Sequence, residues 1–185
     1  MPKTYEVFDF TKNYDPERMR RSEYGIGKYN EKRVGMYTTE LFTRDPANLR
    51  DIHMGIDIAA PAFTPAYACF DGTIFCAKIH EAAGDYGGTI ITEHHLREFT
   101  FWALHGHLSH ASVKNALPGT QVKQGAVIGH LGEKHENGGW NPHLHFQISL
   151  EAPLNCDMPG AVSDSMREES LKRYPDPRLI LGKLY

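Results

Sequence analysis

Three short segments with histidines are the strongest chemical signal in this sequence, at residues 53–57, 105–107 and 143–145. The first segment begins with His53 and ends with Asp57, and the third is His143-Leu144-His145. Zinc accepts imidazole nitrogens and carboxylate oxygens, and a catalytic zinc site keeps one tetrahedral position open for water. Two imidazoles and one carboxylate brought together from these segments would form a hydrolytic zinc site.

The neighbouring residues predict that strands carry these histidines. Leu144, Phe146 and Ile148 alternate with His143 and His145. Alternate residues of a strand face opposite sides of a sheet, so the apolar residues would enter a core while both imidazoles share the other face. The segment 53–57 alternates in the same way. We therefore predict two strands that present their polar residues to one site.

The rest of the chain predicts a single domain over residues 1–185. Residues 51–152 form the expected core, because β-branched and aromatic stretches at 73–77, 89–93, 99–108 and 127–131 predict strands. Residues 1–50 form an N-terminal extension, where Asp15 before Pro16 predicts a short helix. Residues 153–185 form a C-terminal extension, in which Ser165 and Glu168 match a capping box that opens a helix.

Composition excludes several partners and favours one compartment. The net charge of −3 gives no basic footprint for nucleic acid, and no apolar stretch approaches the ~20 residues of a membrane span. Residues 1–7 lack the apolar region of a secretory signal. Three cysteines, an odd number without a CxxC pair, indicate neither a disulfide framework nor a thiolate metal site. We expect a cytoplasmic protein, and nothing in the pattern indicates an oligomeric state.

The order of the motifs resembles the lysostaphin-type (LytM-like) zinc metallopeptidases, a family that includes peptidoglycan endopeptidases. The HxxxD motif at residues 53–57 precedes a histidine followed by leucine on an aromatic strand, and HLHF follows at 143–146. Residues 119–129 are similar to the family's GxxVxxGxxIG hairpin. The resemblance covers roughly residues 50–150. Residues 29–33, 137–148 and 175–181 are similar to a narrower branch of modules that occur fused to aminotransferase-like or kinase-like domains.

The resemblance implies an all-β fold, in which a twisted antiparallel sheet folds over a smaller one, with short helices in the extensions. By position, His53, Asp57 and His145 match the ligands of one zinc ion. His107 and His143 match two histidines that stand beside the metal without ligating it, and which of them is the base stays open. The implied activity is that of a zinc metalloendopeptidase, with a peptide or peptidoglycan fragment as substrate and a zinc-bound water as nucleophile.

Two other functions compete with hydrolysis. A catalytically silent LytM-like module would use the groove to bind a partner, but such modules usually lose ligands, and all five histidine and aspartate positions are present here. A cupin-like metal fold also uses HxH on a strand. It would need a glutamate a few residues later, whereas none follows His107 until Glu133.

Three further predictions concern single residues or a loop near the site. His105 shares a strand face with His107 by alternation, so it would line the cleft or support a ligand from behind. Residues 137–141 are expected to form a loop beside the site, with Trp140 as an exposed aromatic contact for substrate. In some family members an N-terminal asparagine blocks the metal, and Asn30 is the candidate for that role here.

Overall fold

Strands dominate the structure, a computed structural model that describes residues 4–185. The strands are β1 (Glu6–Val7), β2 (Gly25–Gly27), β3 (Ile52–His53), β4 (Ile56–Ala59), β5 (Pro65–Tyr67), β6 (Gly72–His80), β7 (Gly87–Leu96), β8 (Phe99–Leu108), β9 (Gln121–Val122), β10 (Val127–His130), β11 (His143–Ser149) and β12 (Ala161–Val162). The helices are α1 (Pro16–Arg21), α2 (Glu40–Thr43), α3 (His110–Asn115), α4 (Arg167–Arg173) and α5 (Arg178–Leu181). The all-β prediction is confirmed, with short helices outside the strands.

Eight strands form one large sheet in the order β1-β2-β4-β11-β8-β7-β6-β9. Neighbouring strands run antiparallel except β1 and β2, which are parallel. Strands β10 and β5 form a second, small sheet, and β12 and β3 form a third. A large sheet accompanied by smaller ones is the architecture that the sequence predicts.

Strand β11 lies inside the large sheet, between β4 and β8, and its two faces differ as predicted. Phe146 and Ile148 are buried in a cluster with Phe101 and Ala103. His145 pairs with Asp57 of β4, and paired residues project from the same face of a sheet. The predicted alternation is therefore confirmed, and it brings an imidazole and a carboxylate to one face.

Both faces of the large sheet are covered, which fixes the strands that carry the site. Ile90 and Ile91 are neighbours on β7, and both are fully buried. Ile90 packs against Leu108 on one face, while Ile91 packs with Leu104 on the other. Burial of such a side chain contributes roughly 1.5–3 kcal/mol. The strands beneath the histidines are therefore held from both sides.

The N-terminal extension is built into the large sheet. Asp15 caps α1 by accepting a hydrogen bond from the Glu17 backbone N–H at 2.9 Å, so this helix prediction is confirmed. Strand β2 pairs with β4. Beyond β2, residues 30–33 run beside residues 51–53, where the His53 N–H donates to the Glu31 carbonyl at 3.0 Å. The extension therefore reaches the strand that carries the HxxxD motif.

Two local predictions are wrong. The capping box does not form, because the Ser165 hydroxyl bonds Ser163 and Asn48 instead, and α4 begins at Arg167 after a 3₁₀ turn. The expected hairpin over residues 119–129 is absent, because β9 pairs with β6 while β10 pairs with β5. Ser165 thus bonds one near neighbour and one distant residue in place of the helix backbone, and β9 and β10 each pair with a strand outside the expected hairpin.

The cysteine prediction is also wrong, since Cys76 and Cys156 form a disulfide with Cα atoms 5.8 Å apart. Eighty positions separate these residues, and the fold places the loop after β11 against β6. The third cysteine, Cys69, lies outside the bridge. An odd number of cysteines therefore does not exclude a disulfide between two of them.

Within residues 4–185, none of the helices has the length and apolar character needed to cross a membrane.

Candidate metal centre

Three predicted ligands converge at the buried face between β3, β4 and β11. His53 Nε2 lies 3.0 Å from His145 Nδ1, and Asp57 Oδ1 lies 3.1 Å from each of these nitrogens. All three side chains are buried. Three ligand atoms at this mutual spacing surround a point that a single small cation would share, so the donor set fits one zinc ion.

A glycine inside the HxxxD motif makes room for this convergence. A Cβ atom on Gly55 would lie 2.6 Å from the His145 ring, closer than any side chain tolerates. The motif therefore needs a residue without a side chain at this position. The requirement ties the first two ligands to the third, although 88 positions separate Asp57 from His145.

Neighbouring carbonyl groups orient both ligand imidazoles. His53 Nδ1 lies 2.8 Å from the Lys28 carbonyl, and His145 Nε2 lies 3.0 Å from Oε1 of Gln147. An N–H that donates to these oxygens leaves the opposite ring nitrogen with a free lone pair. Such contacts fix the tautomer and aim of a metal-binding histidine. The free lone pairs are those of His53 Nε2 and His145 Nδ1, the atoms that converge with Asp57.

The electrostatics of the cluster suit a bound cation. Burial alone would raise the pKa of Asp57, but His53, Arg33 and His143 hold it well below its usual range. Burial, reinforced by Arg33, lowers the pKa of His53 to about 4. At neutral pH the cluster therefore offers one carboxylate and a neutral imidazole, the protonation states that metal binding requires.

His107 and His143 stand beside the ligands with their rings 4.2 Å apart. His107 Nδ1 contacts the Asn137 carbonyl at 2.9 Å, and His143 Nδ1 contacts the Asn141 carbonyl at 2.7 Å. Burial lowers the pKa of both groups below its usual value. Both imidazoles are therefore neutral at pH 7, each with an Nε2 lone pair available to accept a proton.

An extra residue in β8 turns His107 toward the site. Between the pairs His105–Ile90 and Leu108–Gly88, β8 advances three residues while β7 advances two. His107 adopts a φ of +63°, a left-handed conformation that non-glycine residues seldom take. Strict alternation would have kept His107 on the face of His105. The bulge redirects it toward His143.

The prediction for His105 is wrong for the same reason. His105 is fully buried, pairs with Phe146 across the strands and packs against the Phe146 ring at 5.3 Å. It therefore faces the core, opposite the metal centre. Its Nδ1 lies 3.3 Å from the Ile90 carbonyl, and Nε2 has no hydrogen-bond partner among residues 4–185.

The loop at 137–141 lies beside the site as predicted, but Trp140 is not a free contact. Its indole N–H donates to the Gly84 carbonyl at 3.1 Å, and its ring is partly buried against the cluster of Phe8 and Phe10. The Asn137 side chain closes the loop by bonding the backbone of Trp140 at both ends. The loop supplies the carbonyl groups that orient His107 and His143, and the partly buried Trp140 ring lines the cleft.

Four residues of the site were not assigned a role from the sequence. Arg33 and Tyr37 come from the N-terminal extension, Tyr86 packs 5.2 Å from the His145 ring, and Gln147 orients that ring. Gln147 follows the alternation of β11 and could have been found from it. Arg33 and Tyr37 show no periodic signal, because they reach the site only through the fold.

Asn30 does not reach the ligands. Its Oδ1 accepts a hydrogen bond from Arg167 Nε at 2.9 Å, beside the C-terminal helix. The prediction of a blocking asparagine is therefore wrong for this residue, and Arg33 lies nearest the ligands on that segment, 2.7 Å from Asp57.

A cleft opens above the ligands, between the strands and the N-terminal extension. Its aromatic wall includes Tyr37, Phe42 and Trp140, and Tyr37 packs 4.6 Å from Phe42. Asp85 and Asp157 also line the cleft. The ligand cluster is therefore reached through a cleft with apolar and acidic parts.

Comparison with known proteins agrees with this geometry. The model of Peptidase family M23 matches residues 51–156, more than half of the chain, and the chain belongs to that family. All five histidine and aspartate positions lie inside the match. The predicted LytM-like family and its metallopeptidase class are thereby confirmed, while the fusion to an aminotransferase-like domain stays a prediction.

Individual relatives match over part of their length. The DD-carboxypeptidase/endopeptidase Mpg of Neisseria meningitidis serogroup B is 34% identical over 105 residues, 56% of this chain and 22% of that protein. The peptidoglycan DD-endopeptidase ShyC of Vibrio cholerae serotype O1 is 31% identical over 115 residues, 60% of this chain and 24% of that protein. The chain thus spans about a quarter of the length of these curated relatives.

A solved structure also aligns with the chain. The catalytic domain of lysostaphin from Staphylococcus simulans matches with a TM-score of 0.47 and 22% identity, covering 83% of this chain and 96% of that domain.

Proposed function

We propose that the protein is a zinc-dependent metalloendopeptidase that hydrolyses peptide bonds of cell-wall-type or short soluble peptides. The observation that carries the proposal is the meeting of His53 Nε2, Asp57 Oδ1 and His145 Nδ1 within 3.1 Å, with two further histidines beside them. A catalytically silent binding module would not require all three ligands and both neighbouring histidines.

The ligands and the neighbouring histidines divide the chemistry. A zinc ion held by His53, Asp57 and His145 would polarise a scissile carbonyl and lower the pKa of a bound water toward about 7. One of the two histidines His107 and His143 then acts as general base, and its Nε2 lone pair accepts the proton of the attacking water. The resulting imidazolium donates that proton to the departing amide nitrogen.

The substrate class is inferred from the relatives and the cleft. Two relatives carry the names of a DD-carboxypeptidase/endopeptidase and a peptidoglycan DD-endopeptidase. The cleft pairs an aromatic wall with the carboxylates of Asp85 and Asp157, which would suit a peptide with small apolar side chains and a free amino group. A peptide cross-linked through D-amino acids is therefore the first substrate to test.

The compartment is part of the proposal. A cytoplasmic location stays an expectation, whereas the Cys76–Cys156 bridge favours an oxidising compartment, since disulfides seldom persist in the cytosol. We propose that the protein works in an oxidising compartment, in which this disulfide stays intact. Alkylation of free thiols in extracts of the native host would test this location. Full labelling of Cys76 and Cys156 would contradict the oxidising compartment and favour the cytoplasm.

One experiment tests the metal and the activity together. Protein purified without added metal should contain about one equivalent of zinc by elemental analysis, and it should release defined products from cross-linked muropeptides or glycyl peptides, identified by mass spectrometry. His145→Ala should lose both. Full zinc content in His145→Ala would contradict the ligand assignment, while zinc without hydrolysis of any peptide in the panel would favour a silent module.

A further inference from the structure

Arg33 reaches two of the proposed ligands from outside the part of the chain that the family model matches. Its Nη1 donates to Asp57 Oδ2 at 2.7 Å. Its Nη2 lies 2.9 Å from His53 Nδ1, whose own N–H donates to the Lys28 carbonyl, so this second approach brings charge near the ligand without a hydrogen bond. The matched region begins at residue 51, so this contact belongs to the N-terminal extension. A guanidinium is always charged in proteins, and it therefore brings a fixed positive charge to the cation site.

Several contacts fix the position of the Arg33 guanidinium. Arg33 is 3% exposed, its Nε donates to Glu31 Oε2 at 3.3 Å, and the group lies 5.1 Å over the Phe10 ring. A Cβ atom on Gly27 would lie 2.7 Å from Arg33 Nη2, so the fold leaves space for the guanidinium there. A buried charge with this many directed contacts has one orientation, and that orientation presents Nη1 to Asp57.

The two oxygens of Asp57 are thereby given different tasks. Oδ1 faces His53 Nε2 and His145 Nδ1, while Oδ2 is occupied by Arg33. A carboxylate that binds a metal through both oxygens uses two coordination positions, and catalysis needs one position open. A charge-assisted hydrogen bond of this length competes well for the second oxygen. The hydrogen bond from Arg33 would thus keep Asp57 Oδ2 from binding the cation.

We propose that Arg33 is a positioning residue that restricts Asp57 to one ligating oxygen. Its positive charge also lowers the affinity of the site for zinc, so that the ion stays electrophilic. The inference rests on the proposed function, since it presumes the ligand set described above. Activity therefore depends on a segment outside the family match. A purely structural ion pair would leave the metal's coordination and affinity unchanged.

The test compares variants by properties of the metal site itself. Arg33→Met removes the charge and the donor while keeping a long side chain, and Arg33→Lys keeps the charge but loses the planar fork. Lys32→Met is the matched control, because Lys32 is exposed, is adjacent in sequence and pairs with Asp51 and Asp164 instead of the ligands. The readouts are zinc affinity by chelator competition, the absorption spectrum of the Co²⁺-loaded protein, and kcat and KM.

Arg33→Met should bind zinc about tenfold or more tightly, because a repelling charge near a dication is gone. Its Co²⁺ absorption should weaken, as expected when a four-coordinate ion gains a ligand, and kcat should fall more than KM changes. Arg33→Lys should restore part of the wild-type affinity and spectrum. Lys32→Met should match the wild type in all three measurements.

The contrary results are distinct from failure of the proposed function. Equal or weaker zinc binding by Arg33→Met, or an unchanged Co²⁺ spectrum, overturns the role of Arg33 while leaving the metallopeptidase intact. Equal tightening in Lys32→Met also overturns it, because overall charge would then be the cause. A wild-type protein that binds neither zinc nor Co²⁺ refutes the proposed function itself. If Glu31, left without Arg33, prevents folding, the double variant Glu31→Gln, Arg33→Met replaces Arg33→Met in every comparison.

Discussion

The two sides of the cleft are built by different means. The strand side comprises the five residues carried by β3, β4, β8 and β11 or their ends, namely His53, Asp57, His107, His143 and His145. The segment side comprises residues 28–42 of the N-terminal extension, with Arg33, Tyr37 and Phe42 at the cleft. Backbone pairing positions the strand side. On the segment side, backbone hydrogen bonds to residues 51–53 hold residues 30–33. Side-chain contacts position the Arg33 guanidinium against Asp57 and the ring of Tyr37 against Phe42.

This difference suggests a division of labour. Strands paired on both edges hold their side chains within narrow limits, as ligands and proton carriers require. Beyond residue 34 the segment side is held mainly by side-chain contacts and changes at lower cost to the fold, so substrate fit would vary there. The guanidinium of Arg33, also held by side-chain contacts, is where metal tuning would vary. The family match agrees, since it includes the strand side and excludes residues 28–42.

The largest expected effect is on the strand side. His107→Ala and His143→Ala should each keep the zinc yet lose about 10²–10⁴-fold in kcat/KM, the usual contribution of a general acid–base group. Elemental analysis and steady-state kinetics on one peptide would measure both effects. His130→Ala, which removes an exposed histidine, is the control. A metal-free His143→Ala would place that residue among the ligands.

The next effect concerns the disulfide, which ties β6 to the loop after β11. Replacing Cys76 and Cys156 together by serine should lower the free energy of unfolding by about 2–4 kcal/mol. That loop also accepts hydrogen bonds from Tyr86 at Met158 and from Gln147 at Pro159, so KM should rise as well. Urea titration would measure stability, with Cys69→Ser as the control. Equal stability of the double variant and the wild type would mean that the loop after β11 is held in place without the disulfide.

A smaller effect should appear behind the strand side, at His105. Burial lowers the pKa of His105 to about 3, so the unfolded chain takes up a proton below pH 6.5 while the folded protein does not. The free energy of unfolding therefore falls as the pH drops from 7 to 5, by about 2 kcal/mol from this residue.

His105→Leu should remove that part of the pH dependence, measured by urea unfolding at pH 7 and pH 5. The exposed His95 is the matched position, and His95→Leu should leave the dependence as in the wild type. An unchanged pH dependence in His105→Leu would show that the imidazole is solvated, and the face assigned to it would be wrong.

The smallest effect is expected on the segment side. Tyr37→Ala removes an aromatic wall of the cleft, and KM should rise about tenfold or less, the value of one aromatic contact. The zinc content should stay the same. Tyr37→Phe keeps the ring and should keep KM. A loss of zinc in Tyr37→Ala would show that the aromatic wall is needed to hold the ligands, and the assignment of metal binding to the strand side would be wrong.

The sequence by itself determined the features that depend on local periodicity. The alternation of β11 puts His143, His145 and Gln147 on the face opposite Phe146, and the cap at Asp15 starts α1, because side-chain direction and capping depend on neighbours within a few positions. The family resemblance also selected the residues that meet at the metal centre, while their individual roles stay predictions.

Only the tertiary structure decided the features that depend on register and topology. The bulge in β8 separates His107 from His105, β9 and β10 pair with different strands, Cys76 meets Cys156, and Arg33 enters the metal centre from outside the matched region. Each of these contacts joins residues that lie far apart in sequence or breaks an ideal repeat. The partners follow from which strands pair and where the chain returns, and no local pattern of residues encodes that.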